Sequence, residues 1–461
     1  MTDHKDATGH HAYAEVELDV ESERLSIKKP EIRFDRQGDL SDEERVTKAM
    51  AHFAKDFGTT AAAYLDACVH CGMCAEACHY YVATGDPQYT PIWKLEPFKQ
   101  AYKRESGPLA PLYRLLGLKK KVTVEQLEEW QHLLYDSCTV CGRCSLICPM
   151  GIDIAALVGM ARHGMFKAGL IPHELHAVAT KAEVDGSPLG VTPKLFEERL
   201  EWMEDEHEVD MSIDKEQADV LAVISSIEIQ KYPDSMGATA KVLNAMGENW
   251  TFRTDGFEAT NFGLLSGNAD WQKDISMRVI DAAIKVGAKT VLLPECGHAY
   301  MALRWMGANM YGKPLPFKVL HISEYLADAL NSGKLKVKKV DKSVTFHDPC
   351  QVSRRGGATQ APRDVLKHLC NDYREMPGGG DYNWCCGGGG GVVTIHRADE
   401  LRYKVFKLKM EQVEATEADT LLSSCANCRQ NFDDCQSHYD WNYTAESLLE
   451  LVAENLEEDN A

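Results

Sequence analysis

Two cysteine runs with identical spacing constrain this chain more than any other feature of its sequence. Both read C-x2-C-x2-C-x3-C, and they comprise Cys68, Cys71, Cys74 and Cys78 in the first run and Cys138, Cys141, Cys144 and Cys148 in the second. Thiols this close in sequence pair as disulfides only under strain. Zinc takes four ligands, commonly as two separated pairs, which fits these crowded runs poorly. The spacing instead predicts two 4Fe–4S clusters, and therefore an electron carrier.

The predicted ligand sets follow from the way this run works in bacterial ferredoxins. There the first three thiolates of one run and the fourth of the other hold each cluster. The predicted sets are Cys68, Cys71, Cys74 and Cys148 for the first cluster, and Cys138, Cys141, Cys144 and Cys78 for the second. The first run is followed by His79 and the second by Pro149. The proline is not a ligand, so this difference does not affect the prediction.

Composition narrows the class of protein. The chain has 461 residues, a formal charge of −20 and sixteen cysteines, and it starts with a polar, His-rich stretch that is not typical of an export signal. Such a cysteine content favours metal ligation in a reducing compartment over a disulfide scaffold. The negative charge argues against nucleic acid and against direct adhesion to anionic lipid. Since no apolar run reaches the ~18 residues of a membrane span, we expect a cytoplasmic protein that reaches a membrane only through partner subunits.

The N-terminal half divides into three predicted segments. Residues 1–55 mix charges of both signs and are expected to form a tail that orders only against a partner or the main body. Residues 56–170 are expected to form a helical two-cluster ferredoxin domain, with one helix over Val124–Asp136 after a capping box and another over Asp153–Ala168. Residues 171–215 are expected to form a linker, whose acidic stretch is interpreted as a solvated helix.

From residue 216 onward, short β-branched runs alternate with helical patterns, which indicates an α/β layout. Two halves, 216–340 and 341–455, can be laid over one another. The corresponding segments are Val220–Ile229 with Val344–Val352 as a strand entering a loop, Ile275–Val286 with Leu401–Val413 as a helix, and Thr290–Leu293 with Thr420–Leu422 as a strand. The predicted fold class is therefore multidomain α plus α/β, a helical two-cluster domain followed by a pseudo-twofold pair of α/β repeats.

The second half carries five further cysteines on three predicted loops: Cys350, Cys385, Cys386, Cys425 and Cys428. Five thiolates exceed what a zinc ion or a cubane cluster requires. The adjacent pair can serve one site only in an irregular turn, and Gly387–Gly391 supplies residues that tolerate positive φ and close backbone approach. The glycine run lacks the Gly-Lys-Ser/Thr ending of a P-loop, so phosphate binding is set aside.

A cysteine, a Cys-Cys-Gly triplet and a C-x2-C pair at these distances resemble the cysteine-rich CCG domain of the heterodisulfide reductase family, in particular of its HdrD-like members. With the two-cluster domain, the resemblance covers nearly the whole chain beyond the tail. It implies that the five cysteines hold a noncubane 4Fe–4S cluster that cleaves or forms disulfides, with Gly387 and Gly388 at the cofactor. The first half has Ser225-Ser226 and residues 263–267 where the motif has cysteines, so a single noncubane site is expected.

The sequence also suggests roles for several cysteine and histidine residues outside the motif. Cys296, which survives in the degenerate first half, is either a substrate-facing thiol across from the cluster, polarised by His298, or a buried inert cysteine. Cys370 and Cys435 fall in helical patterns and are interpreted as core residues. His347, near the first cysteine of the motif, is interpreted as a structural histidine with satisfied hydrogen bonds.

Within the family, one intact repeat beside a degenerate one is most similar to the catalytic iron–sulfur subunit of the membrane complex linked to dissimilatory sulfite reductase. This similarity implies a cytoplasmic subunit held peripherally at the inner membrane by a haem b-containing membrane subunit. Electrons would pass through two cubane clusters to the noncubane site. There a disulfide or trisulfide on a small, DsrC-like sulfur-carrier protein would be reduced, or formed in the reverse direction.

Two alternatives stay open from the sequence. The first is an electron-transfer subunit of a flavin-dependent dehydrogenase of the glycolate or glycerol 3-phosphate type, in which a partner's flavin performs the chemistry. The degenerate first repeat counts against this alternative. The second is a scaffold with structural zinc, which would leave the protein colourless. Metal analysis with a visible spectrum tests the zinc scaffold, and a disulfide-reduction assay tests the flavin-linked alternative.

Overall fold

The computed structural model of the chain describes residues 34–105, 108–118 and 121–457. Within these ranges, ten α-helices precede the first strand: α1 (Asp42–Ala67), α2 (Met73–Glu76), α3 (His79–Thr84), α4 (Pro91–Glu105), α5 (Ala110–Leu115), α6 (Val124–Gln131), α7 (Arg143–Leu146), α8 (Ile154–Lys167), α9 (His173–Val184) and α10 (Pro193–His207). A short π-helix, His132–Asp136, continues α6. The part of the protein that carries the two cysteine runs is therefore helical, as predicted.

Helix α1 crosses the boundary at residue 55 that the sequence suggested for the tail. The helix begins with a capping box: the Ser41 hydroxyl accepts a hydrogen bond from the Glu44 backbone N–H, and the Glu44 carboxylate accepts one from the Ser41 N–H. Its apolar face packs on α8, where Phe53 is almost completely buried. Residues 42–55 thus order against the main body, as the prediction allowed, but their helix continues past residue 55 into the cluster domain. The remainder of that prediction lies outside the described residues.

Both helices predicted for the cluster domain are confirmed. Helix α6 begins with the predicted capping box between Thr123 and Gln126, and its Trp130 is buried. Helix α8 follows Asp153, whose carboxylate accepts a hydrogen bond from the Ala156 N–H. An acidic side chain at this position satisfies an N–H group that the helix itself leaves unpaired. Local capping signals therefore fix where these helices start.

Beyond residue 207 the described chain forms two parallel sheets of four strands. The first holds β1 (Val220–Ala222), β2 (Trp250–Thr251), β3 (Thr290–Leu293) and β4 (Lys318–His321) in the order β2-β1-β3-β4; the second holds β5 (Val340–His347), β6 (Cys370–Tyr373), β7 (Thr420–Ser423) and β8 (Ala445–Ser447) in the order β6-β5-β7-β8. Both halves predicted as repeats thus share one strand order.

The helices between strands of the same sheet supply the crossovers that parallel strands require, one further helix joins the two sheets, and the last one follows the final strand. They are α11 (Ser226–Lys231), α12 (Asp234–Ala245), α13 (Phe262–Ser266), α14 (Ala269–Lys285), α15 (Gly297–Met301), α16 (Gly307–Tyr311), α17 (Ile322–Asn331), α18 (Gln360–Leu369), α19 (Asp399–Glu414), α20 (Ala426–Tyr439) and α21 (Leu448–Glu454). In the described ranges, no helix combines the length and the apolar character that crossing a membrane demands.

Two packed helices occupy the segment predicted as a linker, residues 171–215. Helix α9 packs on α13 and α14, and α10 packs on α12. The buried side of α10 is formed by Phe196, Leu200 and Met203, while its charged residues face outward. The acidic stretch is thus solvated on one side only. This segment joins the helical domain to the sheets through a shared core rather than through a free connection.

The predicted strand and helix correspondences between the two halves are present, with two corrections. Val220–Ile229 was expected to be a strand that enters a loop, but helix α11 begins within it at Ser226. Cys370 is buried, but it begins strand β6 instead of lying in a helix, because the backbone becomes extended (φ −137°, ψ 158°) directly after α18. Cys435 lies in α20 and is fully buried, as expected of a core residue.

The sheet register determines which loops meet. Strands β5 and β7 are neighbours, and His347 pairs with Ser423 where the two strands end. The loops that follow carry Cys350 and Cys425. Since the carboxyl ends of parallel strands lie at one edge of a sheet, both cysteines leave from adjacent positions at that edge.

Candidate iron–sulfur centres

The cysteines of the two runs line two separate cavities of the cluster domain. Cys68, Cys71, Cys74 and Cys148 line the first cavity, and Cys78, Cys138, Cys141 and Cys144 line the second. The fourth cysteine of each run therefore reaches the cavity of the other run, which is the grouping expected from the sequence. Each run turns into a short helix at a glycine with positive φ, Gly72 in the first and Gly142 in the second. These turns direct three thiols of a run toward one point.

The two cavities differ in their surroundings. The first lies near the surface: Cys71 is exposed, and Val69 and Met150 beside it are about half exposed. The second is lined by the buried Lys94, whose ammonium donates a hydrogen bond to the Ser137 carbonyl and lies 4.0 Å from Cys78 Sγ. Such a buried cation suits a cavity that receives an anionic cluster, because the cluster supplies compensating negative charge.

Five further cysteines converge at the carboxyl edge of the second sheet: Cys350, Cys385, Cys386, Cys425 and Cys428, here called the five-cysteine site. All five are buried, and none of the sixteen cysteines of the chain is in a disulfide. Across the three loops, Cys386 Sγ lies 3.3 Å from Cys428 Sγ, and Cys350 Sγ lies 4.0 Å from Cys385 Sγ. The loops are thus close enough to share one inorganic centre. Five thiols exceed the four that a zinc ion or cubane takes, so their number fits an unusual cluster.

The glycine run after Cys386 allows this convergence. Gly387 has a φ of +99°, and its N–H donates to Cys385 Sγ at 3.5 Å. Gly388 lies so close to Asn431 that a Cβ atom there would stand 2.8 Å from the Asn431 side chain. The Asn431 amide in turn donates to the Cys386 carbonyl at 2.7 Å. The two glycines predicted at the cofactor therefore present backbone, not side chains, to the cysteines.

The second cavity and the five-cysteine site are in contact. Cys141, which lines the second cavity, also packs against the apolar cluster that contains the five cysteines. Arg354 stabilises this contact: it donates to the Cys141 carbonyl at 2.9 Å and also to the Asn383 carbonyl. Gln351 donates to the Val140 carbonyl at 3.0 Å. The loop after Cys350 thus clamps one candidate centre against the other.

Cys296 lies at a separate pocket that also reaches the five-cysteine site. Its lining includes Cys296, His298, Thr260 and Cys425. Cys296 Sγ lies 3.6 Å from the Thr260 hydroxyl, whereas His298 Nε2 accepts a hydrogen bond from the Gly390 N–H at 3.4 Å. Burial raises the pKa of Cys296, and burial lowers the pKa of His298 to about 4. The structure therefore places both residues as predicted at one pocket, but the polar contact it gives Cys296 is with Thr260.

Three buried carboxyl groups stand in the first half, around the serines that replace cysteines of the family motif. Glu228 accepts hydrogen bonds from Ser225, Glu258 accepts from Ser226, and Glu295 pairs with the Arg429 guanidinium at 2.8 Å. Burial raises the pKa of Glu228 to about 8 and that of Glu295 to about 7. The two serines are thus bound to carboxylates, and this half offers polar oxygen where the other half offers sulfur.

A chain of polar groups behind the five-cysteine site was missed from the sequence. The buried Lys409 donates to the Asn383 side-chain carbonyl at 2.6 Å, and the Asn383 amide faces His347. Burial lowers the pKa of Lys409 to about 7, and burial followed by the nearby Lys409 lowers the pKa of His347. Lys409 lies on the inward face of α19, and the sequence gives no sign of this, because lysine occurs throughout that helix. Asn383, two residues before the Cys-Cys pair, could have been suspected from position alone.

Comparison with known proteins agrees with these centres. A 4Fe–4S dicluster domain matches residues 64–152, and a cysteine-rich domain of the CCG type matches residues 344–433. The first match covers both cysteine runs. The second covers the five-cysteine site. The chain therefore contains a dicluster iron–sulfur domain and a cysteine-rich domain.

Relatives extend over most of the chain. Over 399 residues, 85% of this chain and 94% of the relative, it is 29% identical to the D-type subunit of the dihydromethanophenazine:CoB–CoM heterodisulfide reductase of Methanosarcina barkeri. It is 28% identical to the Hdr-like menaquinol oxidoreductase iron–sulfur subunit 2 of Archaeoglobus fulgidus over 73% of this chain and 68% of that protein. It is also 26% identical to the EtfAB:quinone oxidoreductase of Syntrophomonas wolfei, over 81% of this chain and 55% of that protein. The chain is therefore a homologue, over most of its length, of the D-type iron–sulfur subunits of heterodisulfide reductases.

Proposed function

We propose that this chain is the catalytic iron–sulfur subunit of a membrane-associated redox complex that reduces a disulfide or trisulfide on a small, DsrC-like sulfur-carrier protein, or forms it in the reverse direction, as part of dissimilatory sulfur metabolism. The observation that carries the proposal is the packing of Cys141, which lines the second cavity, against the five-cysteine site. It joins a cavity of the dicluster domain to the five-cysteine site inside the protein. An electron path that ends at a buried centre with its own pocket suits catalysis better than simple relay.

The proposal gives each set of cysteines a role. Cys68, Cys71, Cys74 and Cys148 would hold one cubane cluster, Cys138, Cys141, Cys144 and Cys78 the second, and the five-cysteine site a noncubane 4Fe–4S cluster. When bound, the cubanes would carry electrons singly and the noncubane cluster would deliver them to the bound disulfide. Reduction of one S–S bond takes two electrons and two protons, and each sulfur leaves as a thiol. The electrons would come from quinol by way of a haem b-containing membrane subunit.

The side of the protein near the first cavity suits contact with that partner. Three apolar side chains near the exposed Cys71 are themselves exposed by 43 to 61%. Val69 and Met150 line the same cavity as Cys71, and Met73 lies two residues after it in the sequence. Exposed apolar groups next to a redox centre are typical of a protein contact. The opposite end of the path is the buried five-cysteine site, so electrons would enter at the first cavity and leave at the third centre.

The Cys296 pocket would receive the sulfur substrate. It connects the Cys296 side chain to Cys425 of the five-cysteine site, and the backbone N–H of Ala426 donates to the Glu295 carbonyl at 2.9 Å, which fixes the two loops relative to one another. In this role Cys296 faces the substrate and is not a cluster ligand. We expect Cys296→Ala to lower disulfide turnover at least tenfold while leaving iron content and electron paramagnetic resonance (EPR) signals unchanged.

Substitution of the paired cysteines tests the catalytic assignment. In Cys385→Ser and Cys386→Ser we expect loss of disulfide reduction by a reduced dye, with both ferredoxin-type EPR signals retained. Cys370→Ser is the matched control, because Cys370 is buried but lies in β6, where its sulfur contacts the Leu366 carbonyl. Full activity in the two site variants would overturn the assignment.

A second candidate function is supported by one comparison. The similarity to an EtfAB:quinone oxidoreductase favours a subunit that passes electrons between a flavoprotein partner and quinone. In that case the five-cysteine site would relay electrons and the isolated subunit would not reduce disulfides. An anaerobic assay of the isolated chain with reduced dye and a disulfide-bearing carrier protein separates the two functions.

A further inference from the structure

His347 stands at the five-cysteine site with one ring nitrogen unpaired. Its side chain is fully buried at the end of β5. One ring nitrogen of His347 and the sulfur atoms of Cys386 and Cys428 all lie within 4.8 Å of one another. Among the described residues, Nε2 has no hydrogen-bond partner. Leaving a buried polar atom without a hydrogen-bond partner is unfavourable, so Nε2 is expected to bond to a group other than the described protein atoms.

The neighbours of His347 determine which nitrogen carries the hydrogen. The Asn383 side chain is oriented by two strong bonds: its oxygen accepts from the Lys409 ammonium at 2.6 Å, and its NH2 group donates to the Asp348 carbonyl at 2.7 Å. The same NH2 group lies 3.3 Å from His347 Nδ1. Nδ1 must therefore act as an acceptor, and in a neutral imidazole the hydrogen then resides on Nε2.

The tautomer of His347 decides whether this residue can bind a metal or can only donate a hydrogen bond. A histidine binds a metal through a nitrogen that carries no hydrogen, and it commonly donates its other N–H to a carbonyl or carboxylate. Here the arrangement is the reverse, since Asn383 donates to Nδ1. Although its nitrogen lies near two thiols, His347 is therefore unsuited to be a sixth ligand. Its Nε2–H is suited to donate to sulfur.

We infer that His347 is a positioning residue whose Nε2–H donates a hydrogen bond to a sulfur of the cluster in the five-cysteine site, with Asn383 and Lys409 holding the ring in that tautomer. The inference rests on the proposed function only in requiring that the five cysteines bind an iron–sulfur cluster. Hydrogen bonds to cluster sulfurs contribute to the reduction potential. Because reduction adds negative charge, a donor stabilises the reduced state and raises the potential.

The test is an EPR-monitored redox titration of the whole chain, purified without oxygen. In His347→Phe, which keeps a ring against Phe432 but has no N–H, we expect the midpoint potential of the five-cysteine centre to fall by about 59 mV, a tenfold change in the one-electron equilibrium constant. His347→Gln, which retains an N–H, should restore most of this change. His176→Phe is the control, since His176 also packs on aromatic rings but on α9, and it should change nothing.

Four results would overturn the inference. An unchanged potential in His347→Phe with full iron content would mean that His347 makes no bond to the cluster. Loss of that cluster alone, with both cubane signals intact, would make His347 a ligand, as would strong hyperfine coupling to 15N-labelled histidine in the unaltered protein. If His347→Phe does not fold, Asn383→Asp provides the same test. A carboxylate that faces Nδ1 moves the hydrogen from Nε2 to Nδ1, so the midpoint potential of the five-cysteine centre should also fall. A potential that does not fall in Asn383→Asp would contradict the inference. None of these measurements uses disulfide turnover, so failure of the proposed substrate leaves them interpretable.

Discussion

Arg162 Nη1 donates a hydrogen bond of 2.7 Å to the carbonyl oxygen of Gly390, and so ties helix α8 to the glycine run of the five-cysteine site. The guanidinium is almost completely buried. Its other bonds also go to backbone carbonyls: Leu134 at 3.0 Å, Leu265 at 2.7 Å and Cys138 at 2.8 Å. One cation thus connects the dicluster domain with both halves of the α/β region.

Removing that cation should loosen the whole assembly. In Arg162→Met the four carbonyls stay buried without a donor, and bonds to a charged group contribute about 1.5–3 kcal/mol each. We expect the variant to lose at least about 3 kcal/mol of stability and part of its iron, measured by thermal unfolding and iron analysis of anaerobic protein. The partly exposed Arg199 on α10 serves as control, and Arg199→Met should cost under about 0.5 kcal/mol. Equal losses in both variants would contradict this role of Arg162.

Alanine substitutions at two glycines with the same φ distinguish the cost of backbone strain from the cost of steric contact. Gly390 and Gly378 both have a φ of +64°, but a Cβ on Gly390 would lie 2.8 Å from the Thr139 backbone carbon, whereas nothing lies within 4 Å of one on Gly378. Gly378→Ala should therefore cost only the left-handed penalty of about 1–2 kcal/mol. Gly390→Ala should cost more and weaken the EPR signal of the second cubane, because it displaces the loop that carries Cys138. Thermal unfolding and EPR of the two variants side by side provide the check.

The buried Glu228 should make stability depend on pH. Burial, followed by the nearby Glu295, raises the pKa of Glu228 to about 8 in the folded protein, against an ordinary value of 4.5. A raised folded-state pKa means that the stabilisation is complete below about pH 4.5 and is lost as the pH rises through about 8. Glu228→Gln keeps the cap on Ser225 and cannot ionise, so it should exceed the unaltered protein in stability by about 4–5 kcal/mol at pH 9 and come within about 1 kcal/mol of it near pH 5.

Denaturant unfolding at pH 5, 7 and 9 measures this difference. Glu197→Gln, on the exposed face of α10, is the control and should follow the unaltered protein at every pH. If the Glu228→Gln curve ran parallel to that of the unaltered protein, Glu228 would not be the group that holds a proton.

Substitution of the fourth cysteine of each run tests whether it binds the cluster of the other run. Cys148→Ser should disturb the cluster of the first cavity, next to Cys74, and Cys78→Ser that of the second, next to Cys144. In iron analysis and EPR, each variant should therefore lose the signal associated with the other run. Loss of the signal of its own run in either variant would mean that the clusters do not share ligands across the runs.

Much of this protein is determined locally. The spacing of the cysteine runs needs no tertiary information to bring three thiols of each run together, because a turn at Gly72 or Gly142 does so within a few residues. Capping residues such as Thr123 and Asp153 likewise set helix starts from their own hydrogen bonds. Tail and linker were predicted less well, since charge-rich segments look alike whether solvated on all sides or, as in α10, on one.

The sequence by itself therefore established two cluster runs, a five-cysteine motif and a repeated α/β pattern, because each depends on short spacing or periodicity. Only the tertiary structure decided that Cys141 packs against the five-cysteine site, that Arg162 reaches Gly390 across 228 residues, and that His347 keeps its Nε2 unpaired. These relationships join distant segments and depend on the direction in which packed side chains point. Spacing along a chain contains no record of either.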